Sequence, residues 1–188
     1  LRGHSQSVLD LLYEPEEATR LLAQMAEIFR QITVAAWERI PLWHGGYYDA
    51  QYQLWAPGPI IRMQEDASGL YSPALYRRYL QPVDRALAGH FLCAFMHLHS
   101  TSMFLLEAFL EIEELRCLEV NYELISGGPP VSGMLPYWRR IQEAGRSLLI
   151  RGSFTADEAR ELVDGLDPRG LYLYIMAEDM AEIEALRP

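Results

Sequence analysis

Apolar residues recur at helical spacing through Ala18, Leu21, Leu22, Met25, Phe29, Ile32 and Ala36, which predicts a long helix from 15 to about 39. Pro15, with Glu16 and Glu17 behind it, marks the start: proline has no N–H to leave unpaired, and acids suit the positive end of a helix. Beyond it, short apolar runs alternate with helical ones. Runs at 40–44, 60–66, 91–98, 117–122, 148–150 and 171–175 predict strands. Between them, Ser72-Pro73 supplies an N-cap and first-turn proline for a helix to about 87, bent by Pro82. A helix is expected over about 102–115, and another ending at Ala144 with Gly145 as its cap. Thr155-x-x-Glu158 is a capping box, and a closing helix is expected over 179–186.

Strands and helices thus alternate from residue 40 onward, with connections long enough for parallel crossovers. The strands read as apolar without clean alternation, which fits a parallel sheet covered by helices. Both a doubly wound sheet and a (β/α)8 barrel have this rhythm. A complete barrel needs roughly 250 residues, so on the barrel alternative the 188 residues are a partial (β/α)8 barrel, its later five or six units with the first part missing; on either alternative they read as a single domain spanning 1–188. The tract 47–59, with Tyr47, Tyr48, Tyr52, Trp55 and Pro57-Gly58-Pro59, reads as an ordered insertion whose aromatics pack as core or lid. The chain opens at Leu1 rather than methionine and enters a helix almost at once, as though cut from something longer. Missing strands would expose sheet edges, so a homo-oligomer is expected, and the piece alone is expected to be inactive.

Composition narrows the function. With 16 basic and 26 acidic residues the formal charge is −10, which repels phosphate backbones and anionic membranes; no nucleic-acid or membrane partner is expected. Cys93 and Cys117 form no Cys-x-x-Cys pair, and two cysteines make no disulfide framework, so a cytoplasmic location is expected. The apolar stretch 91–110 carries His97, His99 and Glu107 and reads as strand, loop and helix rather than a membrane span. Gly127-Gly128-Pro129-Pro130 lacks phosphate-loop spacing and reads as a rigid loop.

Parallel α/β folds place chemistry at the carboxyl ends of their strands. Those ends hold His44, then Glu65 and Asp66, then His97 and His99, then Glu119, Asn121 and Glu123, then Arg151, then Glu178 and Asp179. Residues two apart on a strand point the same way, so His97 and His99 face one pocket and Glu119 and Asn121 share a face beside them. A His-x-His pair suits a divalent metal, zinc for instance, with Glu119 or Asp66 completing the set; the competing reading has one histidine bonded to a loop and the other lining a cavity. Glu119, between Leu118 and Val120, is either a desolvated general acid or base or a structural partner of Arg151. Arg151 is a candidate clamp for a substrate carboxylate, with Asn121 and His44 as further substrate contacts.

Three segments carry a resemblance. Asp66 is followed by a glycine, Leu70-Tyr71-Ser72-Pro73 and a helix reaching Pro82. Met96-His97-Leu98-His99-Ser100-Thr101-Ser102 precedes a helix and Leu118-Glu119-Val120. Leu149-Ile150-Arg151-Gly152 leads to the Thr155 capping box and Arg169-Gly170-Leu171-Tyr172. The chain resembles the uroporphyrinogen decarboxylase superfamily, which includes cobalamin-dependent methyltransferases. The resemblance implies the carboxyl-terminal part of a (β/α)8 barrel, with Leu1-Arg2-Gly3 as the tail of an earlier strand. It implies a methyltransferase-type enzyme acting on a small methylated or corrinoid-linked substrate, with zinc or a corrinoid as cofactor and a corrinoid protein as partner. Tetrapyrrole decarboxylation and a non-catalytic corrinoid- or tetrapyrrole-binding barrel are the alternatives. The methyltransferases carry a His-x-Cys zinc pair: with His99 as the histidine, Thr101 stands at the cysteine position, whereas a shifted register gives a His97-x-His99 variant. The decarboxylases' tyrosine would fall near Leu11, and 175–178 has no counterpart of their late histidine. In this reading His97 and His99 serve as metal ligand or general acid, Glu119 as general base and Asp66 as second acid or substrate anchor.

Overall fold

The computed structural model describes residues 3–186; Leu1 and Arg2, where the tail of an earlier strand was expected, lie outside them. Two helices open the chain, α1 (His4–Tyr13) and α2 (Pro15–Trp37), with Pro15 in the first turn of α2 as expected. No residue of α2 is fully buried; Ala18, Leu22, Ala26 and Trp37 pack against the core from its rim. A small antiparallel hairpin, β1 (Tyr47–Asp49) and β2 (Leu54–Ala56), follows. The rest is α/β: β3 (Ile60–Gln64), α3 (Pro73–Leu75) and α4 (Gln81–Ala88) joined by a wide helical turn, β4 (Cys93–His99), α5 (Leu106–Leu110), β5 (Leu115–Asn121), α6 (Val131–Glu143), β6 (Ser147–Gly152), α7 (Ala156–Gly165), β7 (Leu171–Ile175) and α8 (Met180–Ala185).

Five parallel strands stand side by side in chain order, β3-β4-β5-β6-β7, so each pairs with its neighbour in sequence. The sheet is open, with β3 and β7 at its edges, and no closed barrel forms among the described residues. The caps are those the sequence dictates. Ser72 Oγ accepts from Leu75 N at 3.2 Å, the Thr155–Glu158 capping box is reciprocal, and Asp179 accepts from Glu182 N. Gly145, at φ 72°, ends α6.

Two expected elements differ. Residues 40–44 form no strand: Pro41 removes a backbone donor, Leu42 and Trp43 stay exposed, and a tight turn closes Trp43 onto Gly46. The helix expected over 102–115 is a 3-10 turn (Ser100–Leu105) followed by the short α5, with Ser102 off helical geometry, as hydroxyl side chains competing for the backbone would favour.

The sheet also corrects the expectation that its strands lack alternation. Their two faces differ sharply. Met63, Met96, Leu98, Leu118, Val120, Leu148 and Ile150 turn to the helices and form the main core with Trp138, Phe109 and Tyr76. On the other face the in-register partners are Gln64, His97, Glu119, Leu149 and Tyr172 in one row. One step toward the carboxyl ends come His99, Asn121, Arg151 and Tyr174. Paired residues of a sheet project to the same side, so these two rows build one polar surface. The expected insertion at 47–59 is ordered and folds over its lower half, where Tyr52, Ala56, Ile60, Phe95 and Leu149 make a second, smaller core.

Among the described residues, no helix is long and apolar enough to cross a membrane.

Candidate metal centre

The polar surface narrows to one cluster at the carboxyl ends of β3 and β4. His97 and His99 project from the same face of β4, their rings edge to face at 4.8 Å. Asp66, in the turn just after β3, faces them: its Oδ1 lies 3.4 Å from His99 Nε2 and 3.9 Å from His97 Nε2. One ligand atom from each of the three falls within 4.8 Å of the other two.

What sets the orientation of each imidazole is a carboxylate on its other nitrogen. His97 Nδ1 is in close contact with Glu119 Oε2, and Glu119 is entirely buried. His99 Nδ1 lies 2.7 Å from Glu123 Oε2. A carboxylate on Nδ1 holds that nitrogen's proton and leaves Nε2 with a lone pair, which is how proteins prepare histidines to bind metals. Here both Nε2 atoms point at one aspartate. Asp66 is itself steadied by Gln64 Nε2, at 3.2 Å from Oδ1.

Glu123 is held by its loop. Its N–H donates to Ser100 Oγ (3.2 Å), and its carbonyl accepts from Ser126 N and Gly128 N. A Cβ on Gly128 would collide with Ser100 Oγ and come within 2.8 Å of the Glu123 carbonyl, so glycine is required for this close approach. Gly128 thus lets the Gly-Gly-Pro-Pro loop close against Ser100 and the Glu123 carbonyl. Glu123's second oxygen accepts from Asn121 Nδ2 at 2.8 Å, and Asn121 Oδ1 accepts from Arg151 at 3.4 Å.

Burial of His99 works against its protonated form, but the Glu123 and Asp66 carboxylates outweigh it and raise its pKa above the ordinary histidine value. Glu119 leaves one oxygen, Oε1, buried with no partner. The pairing with Arg151, one of the two alternatives for Glu119, does not form; His97 takes that place.

Tyr52 belongs to this site although its position in the sequence gives no sign of it. Asp49 Oδ1 accepts from Tyr52 N at 2.9 Å and folds the hairpin turn, and Gln53 takes a left-handed φ of 55° behind it. The phenol is thereby pressed onto the sheet, edge-on to Phe95, with its hydroxyl 3.2 Å from His97 Nδ1. Burial first, and then the Glu119 charge, push its pKa to about 12, so it remains a neutral hydroxyl.

Of the residues picked out from sequence, Asp66, His97, His99, Glu119, Asn121 and Arg151 converge on this face. His44 does not. It sits exposed in the 43–46 turn at φ 47°, against Trp43, because the strand expected to end there does not exist. Glu178 and Asp179 stand apart as well, engaged with the start of α8.

Glu65 turns to the opposite side of β3, toward the helices, and shares a hydrogen bond with buried Asp84, which also accepts from the Tyr76 hydroxyl at 2.7 Å. Burial raises both carboxyls, Asp84 to about 6 and Glu65 well above its ordinary range, with the Asp84 charge adding to Glu65. Groups that hold protons more tightly folded than unfolded lower stability as pH rises, here from about 4 through 6 and beyond. Asp84→Asn keeps an acceptor for Tyr76, presents an amide to Glu65 in place of the carboxylate that accepts from it, and cannot ionise. It is expected to stabilise the protein by about 1–3 kcal/mol at pH 8 and to change little at pH 4.5. Thermal melts at the two pH values check this; equal loss at both would show that ionisation carries no cost here.

Comparison with protein-family models, with curated proteins and with solved structures returned no match.

Proposed function

We propose that this chain is the later part of a uroporphyrinogen-decarboxylase-like (β/α)8 barrel and that it carries a divalent-metal centre of a methyltransferase-type enzyme. Strand order equal to chain order, with helices on one face and polar groups at the strand ends of the other, supports the barrel reading. The observation that carries the function is the convergence of two imidazole Nε2 atoms and one carboxylate oxygen, each imidazole backed by its own carboxylate.

His97, His99 and Asp66 would hold the ion. Three protein ligands of this kind leave positions open, the arrangement of catalytic rather than structural centres. A bound zinc supplies a Lewis acid that lowers the pKa of a coordinated thiol or water. Glu119 and Glu123 keep both rings in the ligating tautomer and make them stronger donors. Tyr52 closes the site from below and excludes water from the Glu119–His97 contact. The thiol acceptor and the small methylated or corrinoid-linked donor would approach over the open upper part of the sheet face.

Zinc titration followed by calorimetry tests the reading, with one ion per chain expected. Glu119→Gln keeps the shape and removes the charge behind His97; a loss of roughly 10–100-fold in zinc affinity is expected. Absence of zinc, manganese or iron(II) binding in the wild type would overturn the metal centre and favour a non-catalytic binding barrel.

A further inference from the structure

Arg151 has no carboxylate partner among the described residues. The guanidinium is half-buried, and its one hydrogen bond goes to Asn121 Oδ1 at 3.4 Å. In a chain of formal charge −10, a half-buried arginine facing a site and left without an acid is unusual. The same surface carries Asp66, Glu119 and Glu123, and its other arginine, Arg62, lies by Asp49, so among the described residues Arg151 is its positive charge without an acid.

Two further features define what it faces. Tyr172 and Tyr174 lie on one face of β7, rings parallel within 4° and 6.3 Å apart, and the guanidinium sits 5.8 Å above the centre of Tyr174. Gln53 of the hairpin reaches the Tyr174 hydroxyl at 3.4 Å and helps fix that ring. Asn121 connects the guanidinium through Glu123 to His99 by consecutive hydrogen bonds, so Arg151 is held in a set relation to the metal-binding cluster. On the sheet, Arg151 stands in the same row as His99, two strands away, or about 10 Å at the usual strand spacing.

We propose that Arg151, oriented by Asn121, forms on the Tyr172/Tyr174 platform the subsite for the carboxylate of a planar substrate whose far end reaches the Asp66–His97–His99 centre. The inference rests on the metal reading above and adds the substrate class. A guanidinium offers two parallel donors that match a carboxylate, and the flat tyrosine faces favour a ring over an aliphatic chain. Asn121 Nδ2 is committed to Glu123, so the amide orients the arginine and leaves its free N–H groups to the ligand.

The test uses the protein loaded with Mn2+ and two fragment probes, benzoate and its neutral isostere benzamide, followed by ligand-observed NMR. Benzoate is expected to bind at least tenfold more tightly than benzamide, with Mn2+ broadening its para proton more than its ortho protons. Arg151→Gln is expected to lower benzoate affinity at least tenfold and to leave Mn2+ affinity within twofold. Arg151→Lys, which keeps the charge without the fork, recovers part of that loss and guards against a folding artefact. Benzoate affinity equal to that of benzamide, or unaffected by Arg151→Gln, would overturn the subsite; so would stronger broadening at the ortho protons, which would place the carboxylate on the metal. Arginine-dependent binding with no broadening by Mn2+ would leave the subsite standing and overturn the metal reading instead.

Discussion

A His97→Asn, His99→Ala double variant is expected to lose stoichiometric zinc altogether while remaining folded. The choice of asparagine follows from the environment. Glu119 is wholly buried, and among the described residues its carboxylate meets His97 Nδ1, the same nitrogen that the Tyr52 hydroxyl approaches. Truncating His97 to alanine would strand a buried carboxylate, at a cost of about 3–5 kcal/mol. Lost metal binding in that variant would then say little. An asparagine amide nitrogen reaches roughly where Nδ1 stands and can donate to Glu119, yet it places no ligand where Nε2 was. His99 is less demanding, because Glu123 has Asn121 as a second partner and lies at the rim. Full zinc stoichiometry in the folded double variant, read by metal analysis after dialysis, would remove these two residues from the site.

The second large effect is expected at Tyr52. Its ring is almost fully buried on the polar face of the sheet, where it meets Phe95 edge-on and Arg62 over its plane. Tyr52→Ala removes the anchor of the hairpin and the centre of the smaller core, and a loss of about 3–5 kcal/mol is expected from cavity formation. Tyr52→Phe retains the packing and deletes only the hydroxyl, so about 1 kcal/mol is expected. Denaturant melts of the two variants separate packing from hydrogen bonding. The Phe variant should also shift the ring-nitrogen NMR signals of His97 and leave those of His90 in place. If Tyr52→Ala melts like the wild type, the hairpin does not hold the face closed.

Much of the fold could be read from local chemistry. Thr155 with Glu158, Ser72 before Pro73 and the run at 171–175 specify their elements through caps and β-propensity alone, and the structure places them as expected. The run at 40–44 has the apolar character of a strand, but Pro41 denies it one of its donors. The alternation of the strands was masked differently. Phe95, Cys93, Cys117 and Leu149 are apolar residues on the polar face, beneath the hairpin, and they interrupt the two-residue rhythm in sequence. The site was legible where period-two spacing operates, at His97 and His99 and at Glu119 and Asn121. Glu123 continues that spacing beyond the end of β5 and was visible as a strand-end acid, but its contact with His99 depends on the loop closed by Gly128. Tyr52 arrives from a hairpin far away in sequence, and no spacing rule reports a side chain inserted from another element.

The adjacency of every strand to its neighbour in the chain has a consequence for how the protein comes into being. Each pairing joins strands that are consecutive in the chain, separated only by their own helical connection, so no strand must wait for a distant part of the polypeptide before it can dock. Emerging from the ribosome, the sheet can grow by accretion in one direction, with β4 laid on β3 and each later unit on the last. Asp66, His97 and His99 all lie in the first two strand units, so the proposed metal ligands can come together before the arginine and tyrosines of β6 and β7 have been synthesised.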